Sequence, residues 1–428
     1  MDVGAVDLLK KRTFFPLFLT QFFGAFNDNA FKFAMLTQIS YHLSTSQGQS
    51  ERYQALASAL FILPFFLLSA TAGQLADKYN KATLIKAIKL FELVLVTIGG
   101  LGFYFSQTWL LMVTLTGMGL HSTFFGPIKY AILPDHLPRQ QLLGATGLIE
   151  ASTFIAILLG TILGTLSIGG VKNTSVYAIV LICVVALAGL ITSLFILPTR
   201  SMVANLQVNW HVWWATKQMI RDVAVSKRVV PVIFAISWFW LIGAVVLTKL
   251  PDYTNYVLRA NPAVFAVFLS LFSIGIALGS ITINRLLGGK ITLRYVPYAM
   301  LLLSLFSADL CWASPDNIDP SLALQSACQF FSQLAHWRIA MDLFLLAFSG
   351  GLFVVPLYTY LQVVSESGMR SRTVAANNIV NALFMVAGTG LVMLLVYFQV
   401  SIPYVFFILA MLNVVAVIVF WLLFIKTK

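Results

Sequence analysis

Long apolar stretches follow one another along the whole of this chain, and a run of about twenty such residues can cross roughly 30 Å of hydrocarbon as a helix. They lie near 14–43, 53–76, 82–105, 109–133, 142–168 and 175–197, then near 229–250, 263–287, 293–313, 338–362, 374–400 and 403–425. Twelve crossings in two sets of six leave little freedom, because in lipid every backbone polar group must be satisfied internally and a helix does this within one segment. Hydrophobic residues make up 59% of the 428 and charged residues only 10%, which excludes a soluble globule. The expected fold is an all-α membrane protein, with pseudo-symmetric six-helix bundles at 1–198 and 229–428 joined by an amphipathic linker at 199–228.

The net charge of +12 invites a nucleic-acid reading, but the bases sort to one side once connections are assigned alternately. Lys10, Lys11, Arg12, Lys78, Lys81, Arg139, Arg285, Lys290, Arg294, Arg370, Arg372, Lys426 and Lys428 fall together. The opposite connections carry Arg52, Lys172 and Arg259 with Asp252, Asp309, Asp316 and Asp319. Both termini are therefore expected in the cytoplasm, with no nucleic-acid partner. The first stretch is too long for a signal peptide and lacks a small-residue cleavage site. In the linker, Trp210, Trp213 and Trp214 at helical spacing beside Lys217, Arg221, Lys227 and Arg228 suit a helix lying at the membrane surface, against membrane lipids. Ser321 to Trp337 is weakly amphipathic too. Cys311 and Cys328 flank an outer loop that an oxidising compartment could bridge, while Cys183 lies within the sixth stretch. No metal-ligand spacing is present, and no cofactor is expected.

Charged groups inside hydrocarbon are costly and mark functional sites by default. The first stretch holds Asn27, Asp28, Asn29 and Lys32 amid apolar residues. Asp28 suits an ammonium group, with Asn29 and Asn27 supplying hydrogen bonds; Lys32, four residues on, can instead neutralise Asp28 in an internal pair. Lys129 either snorkels to an interface or contacts phosphate. Glu150 lies about eleven residues beyond Arg139, near 16 Å of helical rise, and so sits inside hydrocarbon, where pairing with Lys129, gating and proton coupling are all open. Glu92, with Lys86 and Lys89 before it, reads as a packing network, and His121 as a hydrogen-bonded packing residue. Asn377, Asn378 and Asn381 form a polar face that either lines a site or ties helices together. Lys249 and Asp342 fit positions near the outer mouth. A small-residue seam runs through Gly144, Gly147, Gly160 and Gly164, with Gly388 and Gly390 as a second-half counterpart.

The two halves share a faint plan. Arg139 and Glu150 are spaced as Arg370 and Asn381 are, and Pro127 matches Pro356. Transporters built from such repeats place their site near the repeat interface.

Gly73-Gln-Leu-Ala-Asp77-Lys78-Tyr-Asn80-Lys81 resembles the loop signature of the major facilitator superfamily, in which an acid at a helix end and the following bases latch one conformation. Asn80 stands where glycine is usual and is tolerated because asparagine accepts left-handed angles. The second-half equivalent, Gly279 to Arg285, lacks the acid. Three further stretches resemble the bacterial lysophospholipid transporter family: Ala25-Phe-Asn-Asp28-Asn29-Ala, Pro127-Ile-Lys129-Tyr130-Ala-Ile-Leu133, and Gly147-Leu-Ile-Glu150-Ala-Ser-Thr153 running to Gly160. Asn27 and Lys32 look more like the branch fused to acyltransferase and acyl-carrier-protein synthetase domains. The motif resemblance covers residues 20–165; the second half is similar in layout.

That resemblance implies the major facilitator fold and alternating access. It also implies a lysophospholipid substrate such as lysophosphatidylethanolamine, moved across the bacterial inner membrane toward the cytoplasmic leaflet for re-acylation, with a functional link to an acyltransferase or acyl-carrier-protein synthetase. The alternative within transport is a proton-coupled exporter of a drug, siderophore or other metabolite, with Asp28 and Glu150 as protonation sites. An enzyme is not expected, since none of His42, His121, His136, His211 and His336 begins an H-x-x-x-x-D acyltransferase signature. A purely structural or receptor role would move no substrate.

Overall fold

The computed structural model describes residues 5–44, 46–168, 175–199, 203–315 and 323–426. Lys172, Arg200, Asp316, Asp319, Ser321 and Lys428 lie outside the described residues. Thirteen long helices carry the chain: α1 Phe15–Gln38, α2 Gln47–Lys78, α3 Lys81–Tyr104, α4 Thr108–Ala131, α5 Leu142–Leu166, α6 Ser175–Leu194, α7 Val212–Ala224, α8 Val229–Asp252, α9 Pro262–Leu287, α10 Val296–Ala313, α11 Leu334–Val364, α12 Arg370–Tyr397 and α13 Ile402–Lys426. Among the described residues β pairing is confined to one bridge, between Ala260 and Gln325.

Helix ends follow local chemistry. The Asn261 side chain caps α9 by accepting from Ala263 N at 3.1 Å, Pro262 occupies the first turn, and the helix stops at Gly288, whose φ of 54° suits a residue without a Cβ. Asn80 caps α3, accepting from Ala82 N at 2.9 Å and Thr83 N at 3.3 Å. Its φ is −60°. Asparagine is suited to this position as a side-chain acceptor, and the left-handed conformation expected there is not used.

Nine helices among the described residues are long and apolar enough to cross a membrane on length and composition alone: α2, α5, α6 and α8 to α13. The helices of the twelve that fall below that mark are α1, α3 and α4. They are the ones that carry Asn27, Asp28 and Lys32, then Lys89 and Glu92, then His121 and Lys129. Polarity costs these helices their hydropathy, and the bundle compensates by turning the polar side chains toward one another.

The chain forms two compact units, Met1–Ser226 with Gln362–Ile379, and Lys227–Leu361 with Val380–Lys428. In the first, α1 packs against α5 and α6, α3 against α4 and α6, and α2 against α4. The α1–α5 contact is a glycine seam. A Cβ at Gly160 would stand 2.4 Å from the Phe26 carbonyl oxygen, and one at Gly164 would stand 2.4 Å from that of Ala30. Phe31 and Phe103 meet edge to face at 5.5 Å inside this unit's apolar core. The amphipathic α7 buries Ala215, Met219 and Val223 toward α2, and leaves Trp213 and Trp214 exposed with Lys217 Nζ 5.3 Å from the Trp214 ring. In the second unit, Asn413 ties α13 to α10 through the Met300 carbonyl at 2.7 Å and Ser304 Oγ at 2.8 Å. Cys311 and Cys328 are not bridged to each other.

Candidate functional site

Asp28 lies in α1 within the close approach to α5, between Phe26 and Ala30, so the seam that brings these backbones together also fixes the carboxylate. Its Oδ2 accepts a short hydrogen bond from Ser122 Oγ on α4, and its Oδ1 has no hydrogen-bond partner and lies 3.8 Å from His121 Nδ1. The side chain keeps 14% of its surface exposed, whereas that of Glu92 keeps none. Asp28 is thus the least buried member of the cluster, although its unpartnered Oδ1 is itself buried.

The expected Asp28–Lys32 pair is not formed. Asp28 turns toward α4, while the long stem of Lys32 carries its ammonium toward α2, 5.7 Å from the centroid of Phe61 and 5.9 Å from that of Phe33. Asn29 donates to the Ala25 carbonyl of its own helix at 2.8 Å. Asn27 faces the other way, donating to Glu92 Oε1 at 2.8 Å. Glu92 also forms a short ion pair with Lys89 and lies 3.2 Å from His121 Nε2. One polar chain therefore runs Asp28, His121, Glu92, Lys89 across α1, α3 and α4.

A second group joins α4 to α5. Tyr130 donates a short hydrogen bond to Glu150 Oε1, and Lys129 Nζ lies 4.7 Å from the Tyr130 ring centroid. Lys129 is within electrostatic reach of both Glu150 and Asp28. Beside them, Gln21 on α1 donates to Thr153 and accepts from Ser152 at 2.8 Å. The first unit thus carries both an anionic group, Asp28, and a cationic one, Lys129, the minimal requirement for recognising a zwitterion.

The remaining candidates are placed elsewhere. Asn377 is buried with both side-chain polar atoms unpartnered, and Asn378 Nδ2 would stand 2.8 Å from a Cβ at Gly126. In the second unit, Asn381 accepts from Ser237 Oγ at 2.8 Å and approaches Tyr358 Oη at 3.4 Å. Its role there is to join helices. Lys249 pairs with Asp252 at 3.3 Å, and Asp342 is buried near the Asp309–Arg338 pair.

At the base-rich end, Asp77 at the close of α2 meets the start of α12. Its Oδ1 accepts from Ser371 N at 2.9 Å, and its Oδ2 accepts from Arg372 N at 3.3 Å and Arg372 Nε at 3.0 Å. A buried carboxylate thus satisfies unpaired amides at a helix N-terminus and a guanidinium together. Gly73, one turn earlier, makes the approach possible, since a Cβ there would stand 2.9 Å from Arg372 Cα. Lys81 pairs with Asp135 at 2.8 Å, and Arg370 reaches the same carboxylate at 3.2 Å. Lys78 Nζ stands 5.5 Å from the Tyr79 ring centroid. Gln362 closes the far side by donating to Thr146 Oγ1 at 3.0 Å.

Sequence reasoning left Ser122, Tyr130, Asp135, Arg370 and Arg372 without site roles. Tyr130 lies inside the Pro127–Leu133 motif and could have been found there. Arg370 and Arg372 were visible only as members of a basic side, because no spacing rule links them to Asp77, some three hundred residues away.

A family model described as Major Facilitator Superfamily matches residues 17–331. The lysophospholipid transporter LplT of Photorhabdus laumondii is 26% identical over 417 residues, covering 94% of this chain and 92% of that protein. Its namesake from Cronobacter sakazakii is 26% identical over 402 residues, covering 92% and 90%. Among solved structures, the human organic anion transporter MFSD10 superposes with a TM-score of 0.73 at 14% identity, covering 96% of this chain and 99% of that one. The Escherichia coli fucose:proton symporter FucP gives 0.66 at 14% identity, covering 94% and 96%. These structures share the fold, two pseudo-symmetric six-helix bundles, and with the family match they make this chain a multi-pass membrane protein of the Major Facilitator Superfamily.

Proposed function

We infer that this protein is a lysophospholipid transporter that moves lysophosphatidylethanolamine or a closely related single-chain lipid across the bacterial inner membrane, toward the cytoplasmic leaflet, by alternating access. The observation that carries the reading is Asp28: an intramembrane carboxylate whose side chain is the least buried of its cluster and whose buried Oδ1 is unpartnered, in a unit that also carries Lys129. Such a pair suits an ammonium and a phosphate on one head group. Similarity over most of the chain to proteins named as lysophospholipid transporters supports the same cargo.

In this reading Asp28 binds the ammonium, with Asn29 beside it, and Lys129 binds the phosphate. Glu150, held by Tyr130, tunes the charge on Lys129. Lys32 supports the acyl side of the site through its aromatic neighbours, Asn27 braces α1 from behind through Glu92, and Asn377 adds buried polar atoms to the first unit, while Asn381 serves the second unit by joining its helices. Asp77, Gly73, Lys78 and Lys81 belong to the conformational latch. Both termini lie in the cytoplasm, where the delivered lysolipid is the substrate for a separate acyltransferase or acyl-carrier-protein synthetase. The chain itself performs no covalent chemistry.

The test is uptake of labelled lysophosphatidylethanolamine into spheroplasts or proteoliposomes. Asp28→Asn keeps the protein folded and monodisperse but reduces uptake about 10- to 100-fold, the loss of one charge-assisted hydrogen bond of roughly 1.5–3 kcal/mol. Unchanged uptake by that variant removes Asp28 from the site. Transport that ignores lysolipids and responds only to an imposed proton gradient favours the exporter reading.

A further inference from the structure

Lys89, Glu92 and His121 take no part in the reading above, yet burying such charged groups is costly. The Lys89 and Glu92 side chains keep 1% and 0% of their surface exposed, and that of His121 keeps 1%. The fold clears space for them. A Cβ at Gly24 would stand 3.1 Å from Lys89 Nζ, and one at Gly189 would stand 2.8 Å from Lys89 Cε.

The partners are distributed unequally. Glu92 is well served, holding Lys89 on one oxygen and Asn27 on the other. Asp28 has a neutral hydroxyl on one oxygen and nothing on the other. Between the two carboxylates lies one imidazole, with Nε2 3.2 Å from Glu92 and Nδ1 3.8 Å from Asp28, and neither nitrogen completes an aligned hydrogen bond. A neutral ring carries one N–H and can serve one carboxylate; only the imidazolium serves both. Since Glu92 is already neutralised by Lys89, the extra charge of the imidazolium balances Asp28.

The geometry points to His121 as the resident counter-ion of Asp28, displaced when the ammonium of a lysolipid head group binds, so that loading this cargo releases one proton. The proposal rests on the lysolipid reading above and makes His121 a positioning residue for that site. The balance is simple: protonated His121 and free cargo become neutral His121, an Asp28–ammonium pair and one proton. That proton passes to bulk solvent as the cargo's ammonium takes the place of the imidazolium beside Asp28. Other charged groups on the surrounding helices are Lys32 on α1, Lys81 and Lys86 on α3, Lys129 on α4 and Glu150 on α5; those of α2 (Glu51, Arg52, Asp77, Lys78) lie toward its ends, and α6 contributes none. Among the described side chains, none of these lies in ion-pair range of the imidazole.

The sign follows from linkage. Lower pH favours the imidazolium, which neutralises Asp28 internally, so affinity for an ammonium-bearing ligand falls as pH falls. The experiment measures binding of lysophosphatidylethanolamine and of lysophosphatidylglycerol, which lacks the ammonium, to the purified full chain between about pH 5.5 and 8.5. Proton release is read with an indicator dye in weakly buffered solution. The expected result is an affinity for the ethanolamine lipid that weakens toward about tenfold per pH unit on the acid side. Release approaches one proton per ligand there, no such slope is seen for the glycerol lipid, and the ethanolamine curve flattens in His121→Gln. A pH-independent affinity for the ethanolamine lipid, or a slope that survives in His121→Gln, overturns the proposal while leaving the lysolipid reading intact. If His121→Gln does not fold, the His121 ring-carbon NMR signal of the unaltered protein decides, since an imidazole that keeps one charge state when lysophosphatidylethanolamine binds overturns the proposal. Binding of neither lipid at any pH overturns both readings.

Discussion

Lys89 and Glu92 illustrate how an ion pair behaves where water is absent. Each charge is sustained by the other, and removing one partner strands its mate, at a typical cost of about 3–5 kcal/mol. Glu92→Gln alone is therefore expected to lower the thermal midpoint in detergent sharply, and Lys89→Met alone to do the same. The double variant Lys89→Met/Glu92→Gln should be distinctly milder than the sum of the two, because neither charge of the pair is left without its mate and the amide still accepts from Asn27. Fluorescence-detected size exclusion after heating measures all three, and additive losses would show that the pair is not coupled. At this scale the sequence was partly legible. Asp28, Glu92, Lys89 and His121 each stand out as polar residues in apolar stretches, but which faces which did not, since a helix apolar on most sides offers no periodicity to orient it. That is why Lys32, close in sequence, looked like the partner of Asp28, when the neighbours are His121 and Ser122 on a different helix.

Among elements, the α1–α5 seam decides where the candidate site stands. Gly160 and Gly164 place one helix's backbone against the other's, and carbonyl oxygens cannot move aside as a flexible side chain can. Gly160→Val is expected to force the helices apart, with an overpacking cost of about 1–3 kcal/mol. Lysolipid uptake should fall beyond the loss of folded protein, because Asp28 and Asn29 travel with α1. Gly390→Ala on α12 is the matched control, since a Cβ there meets nothing within 4 Å, and its expression, melting and uptake should equal those of the parent. Equal damage from both substitutions would remove the seam's special standing. The sequence showed all these glycines as small residues at helical spacing but could not separate contact from open space. The amphipathic α7 was more legible, because surface helices segregate their faces: its Trp-bearing face is exposed and its Ala215–Met219–Val223 stripe buried.

For the molecule as a whole, the decisive interaction is the docking of the α12 start on Asp77. Twelve crossings and their alternating charge could be read from the chain; this contact could not, because it joins residues distant in sequence through backbone amides that no side-chain pattern reveals. Asp77 holds two amides and a guanidinium at once. Weakening it by about 1.4–3 kcal/mol shifts the balance between docked and undocked states of the α12 start some 10- to 100-fold. In a background with the native cysteines replaced, Gln362→Cys, at a position where the side chain is buried against Thr146, should react slowly with an impermeant maleimide supplied at the base-rich face. Asp77→Asn should accelerate that labelling by at least tenfold. The exchange Asp77→Arg with Arg372→Asp separates two explanations. A simple ion pair would be restored by the swap, whereas a guanidinium cannot accept from the Ser371 and Arg372 amides, so a carboxylate serving a helix N-terminus predicts labelling as fast as in Asp77→Asn. Slow labelling in the swapped protein would mean that the charge pair alone, and not the cap on α12, holds the α12 start in its docked position.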